Sequence, residues 1–272
     1  MCRWAAYCGD PLYLEELVSS PAHSLIEQSH CATRAKTATN GDGFGIAWYG
    51  DRPEPGRYRD ILPAWSDCNL KSMARQIRSP LFLAHVRAST GGGTRRDNCH
   101  PFVQDNWSFM HNGQIADFER LRRPMEAMLD DELFNARTGT TDSELLFLLA
   151  LQFGLCQTPM AAMAETISFV EGLAEHITGS ALLRFTAAFS DGKALYAIRY
   201  ATDRKAPTLY AAPLGAGQGY CLVSEPLNDD VDSWAEIPNG SAVTVTAAGV
   251  DVAVFQPEKR TVARTVGLAI PA

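Results

Sequence analysis

The sequence predicts an α+β protein built as a four-layer αββα sandwich of two antiparallel sheets. Three observations carry that expectation. Strand-like segments and short helices fill the first half of the chain, two long apolar helices follow up to Ile177, and strand-like segments dominate after residue 180. With 272 residues the chain is long enough for one large core, and no composition break reads as a linker. Residues 1–272 are therefore expected to form a single domain.

Taken in order, Arg3 to Cys8 has the aromatic and small residues of a strand, ended by Gly9-Asp10-Pro11. Leu14 to Val18 and Ala22 to His30 suit short helices. Gly43 to Tyr49 reads as a second strand whose glycines mark close backbone approach. Leu70, Met73, Ala74 and Ile77 fall at helical spacing, so a helix is expected over Asp67 to Arg78, stopped by Pro80. Leu81 to Val86 is a short apolar run of buried-strand type. Trp107 to His111 is another, and it ends in Asn112-Gly113, a turn dipeptide. Phe118 to Leu129 reads as helical. Thr141-Asp142-Ser143-Glu144 matches a capping box before the apolar helix Leu145 to Phe153, and Thr158 to Ile177 forms the second long helix. The later strands are Leu182 to Phe189, Lys193 to Tyr200, Thr208 to Ala212, Tyr220 to Val223, Ala242 to Ala248 and Val250 to Phe255. Asp191-Gly192 is the hairpin signal between the first two.

Composition excludes several function classes. The net charge is −7, from 24 basic and 31 acidic residues, and no long Lys/Arg run occurs, which argues against a nucleic-acid partner. No stretch approaches the length of apolar sequence that spans a bilayer, and the N-terminus lacks a basic region followed by an apolar run. Neither a membrane partner nor secretion is expected. The seven cysteines, at 2, 8, 31, 68, 99, 156 and 221, form no disulfide framework, so the chain reads as cytoplasmic. Cys99-His100 has no second pair at metal-ligand spacing, and neither a metal nor any other cofactor is expected. Cys8 and Cys221 read as buried strand cysteines, His85 and His111 as core histidines beside the motifs, and Trp4, Trp48 and Trp234 as core residues. Arg95-Arg96 reads as part of a solvated loop.

The residue richest in chemistry is Cys2. Its small side chain permits removal of Met1, which would leave one residue carrying both a thiol and a free α-amine. Unperturbed, these titrate near ~8.5 and ~7.7–8.0, so both are poised to exchange protons near neutrality. Four short segments accompany it: Gly41-Asp42-Gly43-Phe44-Gly45, His85-Val86-Arg87-Ala88-Ser89-Thr90, His111-Asn112-Gly113-Gln114-Ile115 and Thr141-Asp142-Ser143-Glu144. Gly91-Gly92-Gly93 lacks the following Lys-Ser/Thr of a phosphate loop and suits a flexible flap instead.

In order and spacing, these segments resemble the glutaminase domain of class II glutamine amidotransferases, which are N-terminal-nucleophile hydrolases. The resemblance runs from Cys2 to about Phe153. The opening Met-Cys-Arg-Trp, Pro101-Phe102 and Ser224-Glu225-Pro226 look more like the stand-alone branch, which includes the γ-glutamyl hydrolase of ergothioneine biosynthesis. The resemblance implies an amidohydrolase in which Cys2 attacks a γ-glutamyl carbonyl to form a thioester that water hydrolyses. It implies Asn112 and Gly113 as oxyanion donors, Arg87 as the clamp on the glutamyl α-carboxylate, Asp142 as the partner of the α-ammonium, and Thr90 as a further substrate-binding residue. The expected partner is a small-molecule γ-glutamyl substrate. Delivery of ammonia to a separate synthetase partner and a homodimer stay open, and a non-catalytic γ-glutamyl sensor is the rival from another class. Because residues 180–272 read as the second half of the same sandwich, no synthetase domain is expected within them.

Overall fold

The structure is a computed structural model, and it describes residues 2–30, 39–89, 93–214 and 219–258. The expected substrate residue Thr90 and most of the triple-glycine flap lie outside the described residues. The first half contains β1 (Arg3–Tyr13), α1 (Glu15–Val18), α2 (Leu25–His30), β2 (Phe44–Tyr49), β3 (Gly56–Asp60), α3 (Cys68–Ala74), β4 (Arg78–Val86), β5 (Phe102–Gln104) and β6 (Trp107–Ile115). Then come α4 (Phe118–Glu126), α5 (Asp131–Ala136), α6 (Asp142–Gln152) and α7 (Pro159–Thr178). The chain finishes its described course with β7 (Leu183–Ser190), β8 (Leu195–Ala201), β9 (Tyr210–Pro213), β10 (Gly219–Val223), β11 (Ala235–Glu236), β12 (Ser241–Thr246) and β13 (Gly249–Val254).

Among the described residues these strands make two sheets, ordered β11-β9-β10-β1-β4-β2-β3 and β13-β12-β8-β7-β6-β5, with antiparallel pairing throughout. Strand alternation explains the layering. Along β1, Trp4, Ala6 and Cys8 point between the sheets, where they meet Met110, Ala188, Val243 and Val245 of the other sheet. Ala5 and Tyr7 point the opposite way, into a core shared with α1, α2 and α3. On the far side, Phe109, Phe185 and Phe189 face α4, α6 and α7. The result is helices, sheet, sheet, helices: the expected αββα sandwich. Helix α6 is buried from Ser143 to Ala150, which is why it is apolar on every face. No helix among the described residues is long and apolar enough to cross a membrane.

Three expectations about elements need correction. Strand β1 does not end at Gly9-Asp10-Pro11 but continues to Tyr13 through an irregularity between Cys8 and Leu12. That irregularity lies opposite Pro80, which is skipped in the pairing of β4 with both β1 and β2, so a residue without an N–H is tolerated within β4. The helix expected to reach Arg78 stops at Ala74. Asp67 caps its start, accepting from Leu70 N–H at 2.7 Å, and β4 already begins at Arg78. Most consequential, Asn112-Gly113 is no turn: β6 runs straight through both, with Asn112 opposite Thr186 and Gly113 opposite Phe185. Gly113 is glycine because a Cβ there would run into the Arg184 carbonyl and the His111 ring. The short edge strands β3, β5 and β11 and helix α5 carry too little apolar periodicity to be read in advance.

Candidate active site

The first residues of β1 are held by the far end of the chain. Trp4 N–H donates to Ser224 Oγ at 3.0 Å, and Ser224 N–H donates to the Trp4 carbonyl at 3.0 Å. The Arg3 guanidinium pairs with the Glu225 carboxylate, both side chains being more than nine-tenths buried. Arg3 also donates to the Cys2 carbonyl at 3.0 Å, and the Asn112 side-chain amide donates to that same oxygen at 2.9 Å. Two donors from opposite sheets thus fix where Cys2 sits. Its thiol lies at the start of the Ala88 segment, 3.4 Å from Ala88 N–H and 3.5 Å from the Ala88 carbonyl. Burial pushes the thiol pKa up from its ordinary value, while the Ala88 N–H and the guanidinium groups of Arg87 and Arg3 pull the other way. At neutral pH the thiol keeps its proton until a base removes it.

Cys2 opens into a cavity of about 340 Å³ whose wall includes Arg87, Gly113, Asp142 and Ser143. Arg87, only 4% exposed, follows directly on β4, where its N–H donates to the Gly43 carbonyl at 2.8 Å and its guanidinium reaches Ser89 Oγ at 3.1 Å. Asp42 supplies the lock: its carboxylate accepts from Ser89 N–H at 2.7 Å, and its N–H donates to the Arg87 carbonyl at 3.1 Å. The glycine-rich segment around Asp42 therefore serves to hold the Arg87–Ser89 stretch, a role that its sequence alone did not reveal.

On the facing side, Asp142 is the first residue of α6, and Thr141 caps the helix by accepting from Glu144 N–H at 3.3 Å. The reciprocal half of the expected capping box is absent. Glu144 instead accepts from Gly139 N–H at 2.7 Å and Thr138 N–H at 3.0 Å, stitching down the approach to the helix. Asp142 accepts from Ile115 N–H at 3.0 Å, which joins α6 to the end of β6. Ser143 Oγ lies 3.2 Å from an Asp142 oxygen and 2.9 Å from His111 Nδ1. Burial holds the His111 pKa down against the pull of Asp142, in line with a core histidine rather than a general base.

Strand parity places the Gly113 N–H. In an antiparallel strand, N–H groups two residues apart point to the same edge. Ala116 N–H donates to the Leu182 carbonyl, on the β7 side, whereas Ile115 N–H donates away from β7, to Asp142. Gly113 shares the parity of Ile115, so its N–H faces the same edge, beyond the point where β5 stops pairing at Phe109. Gly113 lines the cavity, and among the described residues no strand pairs with that edge of β6 at this point.

The structure thus gathers Cys2, Arg87, Gly113 and Asp142 round one cavity, with Asn112 bonded to the Cys2 backbone. Sequence reading missed Asn98, which is fully buried and ties the 93–99 loop to the approach to α6 by accepting from Thr140 N–H at 2.9 Å and donating to the Gly93 carbonyl at 3.0 Å. It assigned no role to Glu225 and set His100 aside, although His100 lines the cavity. Cys8, Cys221, His85, Trp4 and Trp234 are buried as expected, and Trp48 packs at the margin of the helix-side core. Arg95 and Arg96 are exposed and paired with Asp97 and Asp60.

Comparison with known proteins identifies the family. Residues 18–218 match the family model described as "Glutamine amidotransferases class-II". The chain is 32% identical to the probable glutamine amidotransferase DUG3 of Saccharomyces cerevisiae, over 90% of this chain and 82% of that one. It is 31% identical to the gamma-glutamyl-hercynylcysteine sulfoxide hydrolase of Mycolicibacterium smegmatis, over 93% of this chain and 99% of that one. Among solved structures, a glutamine aminotransferase class-II domain protein of Silicibacter pomeroyi superposes with a TM-score of 0.75 at 42% identity, covering 94% of this chain and 100% of that one. With its αββα sandwich and its cysteine at the head of β1, this chain belongs to the class II glutamine amidotransferases.

Proposed function

We propose that the protein hydrolyses a γ-glutamyl amide through a thioester on Cys2. The observation that carries the proposal is the convergence on one cavity of a cysteine thiol, an arginine, an aspartate and Gly113, whose N–H points away from β7. Loss of Met1 frees the Cys2 α-amine, which takes the thiol proton, directly or through a water. The thiolate then attacks the γ-carbonyl carbon. Oxyanion charge is met by the Gly113 N–H and by the Asn112 amide, which has a second hydrogen beyond the one given to the Cys2 carbonyl. Collapse expels the amine with the proton held by the α-amine, leaving a γ-glutamyl thioester. Water adds to this thioester, and glutamate and the free thiol are released.

Arg87 and Asp142 provide the recognition. A guanidinium fork suits the α-carboxylate, and Asp142 suits the α-ammonium across the cavity. Asp142 also receives the Ile115 N–H, which fixes its carboxylate rather than leaving it to swing at a helix end. The mycobacterial relative, matched along nearly its whole length, is named as a γ-glutamyl hydrolase, and this favours outright hydrolysis over delivery of ammonia to a synthetase partner. Retention of both nucleophile and oxyanion donors speaks against a silent sensor. The test is incubation of purified protein with glutamine and a panel of γ-glutamyl compounds, following glutamate release. Release of glutamate from none of them would overturn the proposal.

A further inference from the structure

Edge strand β3 carries two arginines on one face. Tyr58 points to the helix side, where it donates to the Asp67 carboxylate at 2.9 Å, so its neighbours Arg57 and Arg59 point the other way. Arg59 lies across Gly45, where a Cβ would meet its Cγ. The two arginines line a cavity of about 210 Å³ with Phe102 and Gln104 of β5 and Glu144 and Phe147 of α6. No residue lines both this cavity and that of Cys2: Asp142 and Ser143 border the catalytic one, whereas Glu144 and Phe147 border this one.

The donors in this wall are unspent. Among the described residues Arg57 makes no hydrogen bond and no ion pair, and the Gln104 amide is unbonded as well. Arg59 gives Nη1 to the Cys99 carbonyl at 2.9 Å, but its Nε and Nη2 have no partner and are not sealed from solvent. Glu144 and Asp97 act on both arginines at longer range without pairing with either. Glu144 accepts from the Thr138 and Gly139 N–H groups, and Asp97 pairs with Arg95. Burial and the like charge of Arg59 lower the Arg57 pKa, as expected of two guanidinium groups set together with no anion between them. The floor is apolar, Phe102 and Phe147 being 3% and 1% exposed. Guanidinium forks above an apolar floor suit a planar carboxylate on a small apolar body better than a fully hydrated inorganic anion. We propose that this cavity is a second, non-catalytic site that binds a small organic acid, its carboxylate on Arg57 and Arg59 and its apolar body on Phe102 and Phe147. The inference stands apart from the γ-glutamyl reading, since it uses none of that site's residues.

Three probes separate the possibilities: benzoate, benzyl alcohol, which keeps the ring without the charge, and inorganic phosphate, which has charge without the ring. Titrated into the ¹⁵N-labelled full-length protein, benzoate should shift the backbone amide signals of Val103, Gln104 and Thr138 in a saturable way. Benzyl alcohol and phosphate should each bind more weakly, on the order of 10-fold. Arg57→Gln breaks no bond of the fold and should weaken benzoate on the order of 10-fold. Arg57→Lys, which keeps the charge but loses the fork, should fall between. Benzoate can also visit Arg87 in the Cys2 cavity, so Arg87→Gln serves as the control and should keep the shifts at Val103, Gln104 and Thr138. The proposal is overturned if wild-type protein shows no saturable shift at these three residues, or if phosphate binds there as tightly as benzoate. It is equally overturned if the shifts survive Arg57→Gln unchanged or vanish in Arg87→Gln.

Discussion

Asn112 has one amide nitrogen with two tasks: it holds the Cys2 carbonyl, and on the proposed mechanism its second hydrogen meets the oxyanion. Replacing it by Ala should lower kcat on the order of 10²–10³-fold with little change in KM, because the lost donor acts on charge that exists only in the transition state. Steady-state kinetics decide this, and a raised KM with normal kcat would show that Asn112 only binds the ground state. Arg87 and Asp142 should behave oppositely. Arg87→Lys should cost roughly 2–5 kcal/mol in kcat/KM across every γ-glutamyl compound, since an ammonium cannot reproduce a bidentate fork and a substrate charge is left unpaired. Wild-type kcat/KM in Arg87→Lys or Asp142→Asn would remove the glutamyl-pocket assignment. At this scale the sequence singled out Cys2, Arg87, Asn112, Gly113 and Asp142, and the structure brings four of them round one cavity with Asn112 on the Cys2 carbonyl. Asn98, His100 and Glu225 were not singled out, because their significance lies in partners from other segments, which spacing along the chain does not reveal.

Elements decide how those residues come together. The Asn112-Gly113 pair looked like a turn because that dipeptide is a strong local signal, yet the ladder with β7 overrides it and carries the strand on to Ile115. Pro80 looked like a helix stop for a similar local reason, and the irregularity in β1 gives it a place inside a strand. Long apolar helices and alternating strands were legible because their periodicity reports burial directly. The most exposed weakness of the arrangement is the start of β1, which depends on the Arg3–Glu225 pair to hold Cys2. Glu225→Ala should destabilise the fold by about 3–5 kcal/mol, because it removes the carboxylate that pairs with a buried guanidinium. Urea unfolding measures that loss. The activity of the folded fraction should fall as well, since Arg3 would no longer be fixed on the Cys2 carbonyl. Unchanged stability and rate would contradict the anchoring role.

For the molecule as a whole, two antiparallel sheets meet face to face and three histidines, His85, His100 and His111, are buried, and this makes stability depend on pH. Burial and Arg87 push the pKa of His85 from 6.5 down to about 3, and His100 and His111 are also held down. The unfolded chain takes up protons that the native state refuses, so the contribution of His85 is fully present above pH 6.5 and is lost as pH falls toward 3, and His100 and His111 act in the same direction. His85 alone can cost up to about 1.4 kcal/mol per pH unit within that window, so urea midpoints should drop clearly between about pH 7.5 and about pH 5. His85→Phe should flatten the dependence, and identical midpoints at both pH values would contradict neutral burial. The layer order was legible from the succession of strands, paired helices and strands, whereas strand order was not, because it is set by long-range pairing. Everything in the chemical account converges on a free amine at Cys2. The most direct test compares two preparations of this protein, one shown by intact mass to begin at Cys2 and one engineered to retain Met1, on the same γ-glutamyl compound. The account predicts glutamate release only from the first. Full activity in the chain that keeps Met1 would contradict it.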